Sequence, residues 1–134
     1  MRTFKEDYAQ GIKSENSLIQ TFTNFFKSTP QKLPQYHPMD FAVNTNYIEV
    51  KTRNNASTTY PTTMIPYSKI DFARDSPSNT YFVFVFTDGI FYIEYDEDLF
   101  SEFHVETFQR NPRADHTDRP QQYIYIPVSL LHKM

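Results

Sequence analysis

The chain has 134 residues, 17% of them aromatic and 22% charged, and a formal net charge of −3. This length fits one domain over residues 1–134 with a single core, and its 13 Phe and 10 Tyr argue against a disordered chain. The absence of cysteine excludes disulfides, thiolate metal sites and cysteine nucleophiles, so any metal must be bound by oxygen or imidazole.

The first predicted element is an amphipathic helix from Phe4 to about Lys27. Its apolar residues recur at steps of three, four or seven: Phe4, Tyr8, Ile12, Ile19, Phe22 and Phe26. Glu15 falls inside this apolar stripe, three residues after Ile12 and four before Ile19. A lone carboxylate there is costly unless it is paired or binds a cation, so Glu15 is a candidate functional residue.

Two strands joined by a tight turn are predicted after a proline-containing linker over 28–38. Met39–Asn44 and Tyr47–Lys51 both alternate apolar and polar side chains. If Thr45-Asn46 forms a two-residue turn, Asp40 pairs with Lys51 across the hairpin. Glu49 is then the diagonal neighbour of Asp40 on one sheet face, at a Cβ separation of about 7–8 Å.

The remaining elements alternate between strands and short helices, which predicts a mixed α/β fold. We predict first a polar, turn-rich segment over 54–66, then a short helix over Tyr67–Arg74 opened by Pro66, then a central strand over Tyr81–Thr87 that is covered on both faces. A hairpin at Asp88-Gly89 leads into a strand over Ile90–Tyr95, and a short helix capped by Asp96 ends at Phe103. The last predicted elements are a strand over Val105–Gln109, a polar loop over 110–122, a strand over Tyr123–Ile126 and a helical turn over Pro127–Lys133.

The acidic residues of the hairpin suit metal-dependent phosphoryl chemistry. Asp40 and Glu49 can hold one Mg²⁺ or Mn²⁺ between them, with the Val50 carbonyl as a further oxygen ligand. Such an ion lowers the pKa of a bound water and offsets charge on a scissile phosphate. Lys51 would orient that water or stabilise the transition state, while Glu15 would anchor a water or a second ion.

Two short motifs resemble those of PD-(D/E)XK nucleases, the restriction-endonuclease-like superfamily. Pro38-Met39-Asp40 is similar to the family's Pro-Asp, and Glu49-Val50-Lys51 matches its Glu-x-Lys. The segment Gly11–Glu15 is similar to the helix that carries the N-terminal acid in archaeal-type Holliday-junction resolvases. The resemblance covers about Phe4 to Phe86.

The resemblance implies both an architecture and a further site residue. The expected fold is a restriction-endonuclease-like αβββαβ core, with a mixed central sheet flanked by helices and strands added at the C-terminal end. In the family, the helix after the Glu-x-Lys strand often offers a Lys or Gln to the site, which here corresponds to Lys69.

The expected function is that of a Mg²⁺- or Mn²⁺-dependent endonuclease acting on DNA, in a structure-specific, resolvase-like or nicking mode. A homodimer would let so small a domain cut both strands of a duplex. One alternative is a nuclease-like fold used as a nucleic-acid-binding or assembly module without hydrolysis. Another is an RNA endonuclease of the viral cap-snatching type, although those enzymes usually employ a histidine ligand on the first helices and no histidine precedes Glu15.

The distribution of charge favours a nucleic-acid partner more than the net charge does. Between Asp88 and Glu106 there are seven acidic residues and no Lys or Arg, which leaves nine acidic residues against 13 Lys and Arg elsewhere. The candidate nucleic-acid contacts are Lys13, Arg53, Asn54, Asn55 and Arg74. Arg110, Arg113 and Arg119 form either a second phosphate-facing loop or a solvated segment. The N-terminus lacks the apolar run of a secretory signal, so we expect an intracellular, soluble protein of cellular, viral or phage origin.

Overall fold

A computed structural model describes the backbone of residues 4–108 and 121–134, with the side chains of the first helix described from Glu15 onward. The helices are α1 (Phe4–Phe26), α2 (Tyr67–Asp75) and α3 (Glu97–Phe100). The strands are β1 (Gln31–Lys32), β2 (Phe41–Val43), β3 (Asn46–Thr52), β4 (Thr62–Pro66), β5 (Asn79–Phe86), β6 (Gly89–Glu94), β7 (His104–Phe108), β8 (Gln121–Pro127) and β9 (His132–Lys133). The predicted arginine loop lies almost wholly in residues 109–120, outside the described part.

The strands form two sheets. The larger has six strands in the order β1-β2-β3-β5-β6-β9, in which β3 and β5 are parallel and the other neighbours are antiparallel. The smaller has the order β4-β8-β7 and is antiparallel. A mixed central sheet with helices and a second sheet around it is the α/β, restriction-endonuclease-like architecture that the sequence predicts.

The core lies on both faces of the central sheet, and β5 contributes to both. Val83 packs with Phe22 of α1 and Ile48 of β3, whereas Phe82 and Phe84 pack in a second cluster with residues of α2, α3 and the smaller sheet. All three β5 residues are at most 1% exposed. The prediction of a doubly covered central strand is therefore confirmed, and α1 lies on the sheet face opposite to α2.

The predicted register of the first hairpin is wrong by one residue in each strand. Phe41 pairs with Ile48 and Val43 with Asn46, so the turn consists of Asn44 and Thr45 rather than of Thr45 and Asn46. Asn44 has a φ of 54°, a left-handed conformation that asparagine adopts more readily than most residues. The turn consequently starts one residue earlier, and Asp40 does not pair with Lys51.

Three short strands were not predicted from the sequence. β4 lies inside the segment predicted to be turn-rich. It was not predicted because only two of its residues, Thr63 and Ile65, are buried, and polar residues and prolines surround them. β1 and β9 have two residues each, too few to show a period. The predicted closing helical turn is present as a shorter 3₁₀ turn over Val128–Leu130, and β9 follows it.

The predicted helices are present with changed ends. α2 starts after Pro66 and continues to Asp75, one residue beyond the prediction. α3 is capped by Asp96, whose side chain accepts a hydrogen bond from the Leu99 N–H, but it ends at Phe100. Within the described residues, no helix combines the length and apolar character needed to cross a membrane.

Candidate active site

Asp40 and Glu49 lie side by side where β2 begins beside β3. The regular pairing of the hairpin ends at Phe41 and Ile48, the residues that adjoin Asp40 and Glu49 in the sequence. The Asp40 carboxylate Oδ2 accepts a hydrogen bond from the Val50 N–H at 2.7 Å, and the Asp40 N–H donates to the Ile48 carbonyl at 2.9 Å. Asp40 is thus fixed to β3 on both sides of Glu49.

Glu49 is a buried acid with an unusual affinity for protons. Its side chain is 3% exposed, and its neighbour across the parallel pairing is the buried Phe82. Burial, together with the hydrogen bond and negative charge of Asp40, raises the pKa of Glu49 from 4.5 to about 7, against the opposing charges of Lys69 and Lys51. Two carboxyl groups in contact thus hold a proton that a divalent cation can replace.

Two lysines reach the same carboxyl group from different elements. The Glu49 Oε2 atom lies 3.1 Å from Lys69 Nζ and 3.5 Å from Lys51 Nζ. Lys51 follows Glu49 by two residues and so projects from the same face of β3. Lys69 is the third residue of α2, and its ammonium also donates a hydrogen bond to the Pro38 carbonyl. The structure therefore brings four of the predicted site residues together: Asp40, Glu49, Lys51 and Lys69.

Glu15 stands further from this group and has a partner that the sequence analysis missed. Its carboxylate forms an ion pair with Lys32 Nζ at 2.7 Å, and its side chain is 38% exposed. Glu15 and Asp40 line one cleft of about 510 Å³, together with Val50 and Lys32. The predicted need of Glu15 for a partner is thus met by Lys32, which the sequence could not identify because it comes from a segment that showed no periodicity.

The acidic groups do not converge on one point. In the described ranges, no three residues of the types His, Cys, Asp and Glu are close enough to hold one metal ion. The ligand set that fits a hard divalent cation is therefore the Asp40–Glu49 pair, with the Val50 carbonyl as the predicted additional oxygen. Lys51 and Lys69 supply positive charge beside it.

The predicted nucleic-acid contacts are spread over the surface. Arg53 and Asn55 line a second cleft next to Lys51, and Asn54 is exposed. Arg74 lies in the last turn of α2, where it donates hydrogen bonds to Asp71 and Tyr67. The side chain of the remaining candidate, Lys13, is outside the described part.

His37 is a further residue that the sequence did not single out. Its Nδ1 accepts a hydrogen bond from the Met39 N–H at 3.0 Å, and its ring packs against Tyr47 and Phe72. His37 also lines the cleft of Glu15 and Asp40. It fixes the loop that carries Asp40, a role for which the sequence holds no spacing signal.

Comparison with known proteins supplies one match. A family model described as "Phage putative PDDEXK endonuclease" matches residues 3–134, nearly the whole chain. Neither the comparison with curated proteins nor that with solved structures found a match.

Proposed function

The chain belongs to this phage PDDEXK endonuclease family, and on that premise we propose that it hydrolyses phosphodiester bonds in DNA with the help of Mg²⁺ or Mn²⁺. The observation that carries the proposal is the buried Glu49 carboxyl group in contact with Asp40 and two lysines. A nearness to Holliday-junction resolvases in particular stays a prediction.

The electrostatics of the pair favour a bound cation. Glu49 is 2% exposed, and ionising it beside Asp40 places two negative charges in a region with little water. Lys69 and Lys51 compensate only in part, since the pKa of Glu49 remains raised to about 7. A divalent cation between the two carboxylates would relieve both the repulsion and the desolvation.

Each side chain of the group then has a distinct task. Asp40 and Glu49 would hold the ion together with the Val50 carbonyl. When bound, the ion would supply a water of lowered pKa and neutralise charge on the scissile phosphate. Lys51 would orient the attacking water or stabilise the transition state. Lys69 would position Glu49 and, through the Pro38 carbonyl, the loop before Asp40.

The proposal also includes features that the family description suggests. The description of the family as a phage endonuclease favours a phage origin and internal cleavage of a nucleic acid. For duplex DNA we include a homodimer, because a single small active site cuts one strand at a time.

One activity panel tests the function directly. Plasmid, single-stranded DNA, a four-way junction and RNA should be incubated with the protein and Mg²⁺ or Mn²⁺. We expect cleavage of DNA at internal positions, and a Lys51→Ala variant should cut about 100-fold more slowly because it lacks one stabilising charge. Absence of cleavage on every substrate, with DNA still bound, would favour a binding module, and cleavage of RNA alone would contradict the DNA assignment.

The role of Glu15 is tested by Glu15→Gln. The variant loses an exposed ion pair with Lys32, so its free energy of unfolding should change by less than about 1 kcal/mol. If Glu15 anchors a water or second ion in the cleft that it shares with Asp40, cleavage should slow by about 10- to 100-fold. Single-turnover cleavage rates measure this, with Glu102→Gln, an exposed glutamate, as the matched control. A parental rate for Glu15→Gln would place Glu15 outside the site.

A further inference from the structure

We infer that the cleft beside Lys51 binds one unpaired nucleotide of the strand that is cut, so that the substrate is single-stranded DNA. The inference deepens the proposed function and rests on it. The cleft has a volume of about 450 Å³, within the range of small-ligand pockets. Its lining includes Lys51, Arg53, Asn55, Tyr60, Met64 and Tyr123.

Lys51 joins this cleft to the candidate catalytic group. Its Nζ lies 3.5 Å from Glu49 Oε2, and the same side chain lines the cleft. Arg53 follows two residues later and lines the cleft as well. A nucleotide seated there is therefore next to the phosphate that Asp40 and Glu49 would present for hydrolysis.

Arg53 is suited to bind a phosphate of that nucleotide. Its guanidinium donates hydrogen bonds to the Thr63 hydroxyl at 3.3 Å and to the Met64 carbonyl, which fixes its position. Burial lowers its pKa. Among the described residues Arg53 has no acidic partner, and a partly buried cation without one favours an anionic ligand.

Tyr60 offers a surface on which a base can stack. Its side chain is among the exposed large apolar ones, at 62%. The loop that carries it is held on both sides: the Pro61 carbonyl accepts a hydrogen bond from the Val128 N–H at 2.9 Å, and Ser57 donates to the Asp88 carboxylate from its N–H at 2.8 Å and its hydroxyl at 2.6 Å. Single-strand-binding proteins use exposed aromatic rings as stacking surfaces. Such a ring accepts any base, because every base has a face that can stack on it.

Together, Arg53 and Tyr60 would distinguish an unpaired strand from a duplex. A base inside a duplex is already stacked, and turning it out costs a few kcal/mol. Phosphate contacts alone would serve both kinds of DNA, whereas the Tyr60 ring gains a partner only when the base is free. The single strand is therefore favoured through Tyr60 rather than through Arg53.

The test measures binding without cleavage. Fluorescence anisotropy in EDTA gives the affinity for a labelled single-stranded oligonucleotide and for the duplex of the same sequence. Tyr60→Ala should bind the single strand about 10-fold more weakly while duplex affinity stays parental, and Tyr60→Phe, which keeps the ring, should bind both normally. Tyr36→Ala is the control, since Tyr36 is 89% exposed and does not line this cleft.

A second measurement detects the stacking of a base directly rather than through the affinity. Single strands carrying 2-aminopurine should lose fluorescence on binding the parental protein, and less so on binding Tyr60→Ala. Parental affinity of Tyr60→Ala for the single strand, an equal loss for duplex, or the same loss in Tyr36→Ala would overturn the inference. Because these readouts need neither metal nor turnover, an inactive protein in the cleavage panel would defeat the proposed function separately.

Discussion

Replacing Asp40 by Asn should slow DNA cleavage by about 1000-fold or more and abolish the rise in melting temperature that we expect Mn²⁺ to cause in the parental protein. The amide keeps an oxygen that can accept the Val50 hydrogen bond, so the hairpin should fold normally. What it lacks is the second negative charge beside Glu49, on which the proposed ion depends. Single-turnover rates and melting scans with and without millimolar Mn²⁺ measure the two effects.

Asp98→Asn provides the matched control for this substitution. Asp98 is an exposed aspartate of α3, and changing it should leave both the rate and the Mn²⁺ effect as in the parent. A parental protein whose melting temperature ignores Mn²⁺, or an Asp40→Asn variant that cuts at the parental rate, would contradict the assignment of Asp40 as a metal ligand.

The fold was predictable where the apolar residues of the chain have a strong period or form a continuous run. The stripe of α1 and the continuous apolar run of β5 identified the two elements that enclose one core cluster. β4 could not be found in this way, because its position depends on pairing with β8, some 60 residues later in the chain. Contacts between distant segments leave no local signal when only two or three buried residues carry them.

The carboxylate pair could be predicted even though the register was wrong. Shifting both strands of the hairpin by one residue preserves which side chains share a face, so the Asp40 and Glu49 carboxyl groups still meet. Lys69 was different, because periodicity places it on a helix but says nothing about where that helix docks. Only the resemblance to PD-(D/E)XK nucleases indicated it.

For Glu15, the sequence predicted the need for a partner but not which residue the partner is. Its position in an apolar stripe correctly marked an acid that needs a partner, yet the stripe faces the sheet side that does not carry Glu49. The partner is Lys32 of β1, a two-residue edge strand. The pattern of a helix therefore predicts which of its residues are buried. It does not predict the ion pair of a residue at the border of the apolar stripe, because that pair depends on which edge strand the residue contacts.

Glu49→Gln should change how the stability of the metal-free protein depends on pH. Folding raises the pKa of Glu49 from an ordinary value of 4.5 to about 7, so the folded chain binds this proton more tightly than the unfolded chain. Its favourable contribution is complete below pH 4.5 and is lost as the pH rises to about 7. Glutamine does not titrate, so the variant does not share this loss. From about pH 4 to pH 8 the unfolding free energy of the variant minus that of the parent should rise by up to about 3 kcal/mol.

Urea unfolding in EDTA at the two pH values measures this difference, and the neighbouring lysines do not obscure it. The attraction of Lys51 and Lys69 for the ionised Glu49 is already contained in the net rise of the Glu49 pKa, so it adds no separate pH dependence. Glu102→Gln, at an exposed position, should track the parent at both pH values. If the Glu49→Gln difference were the same at pH 4 and pH 8, folding would leave the pKa of Glu49 at its ordinary value, and the affinity of the pair for a cation would need another source than the relief of a buried, repelled charge.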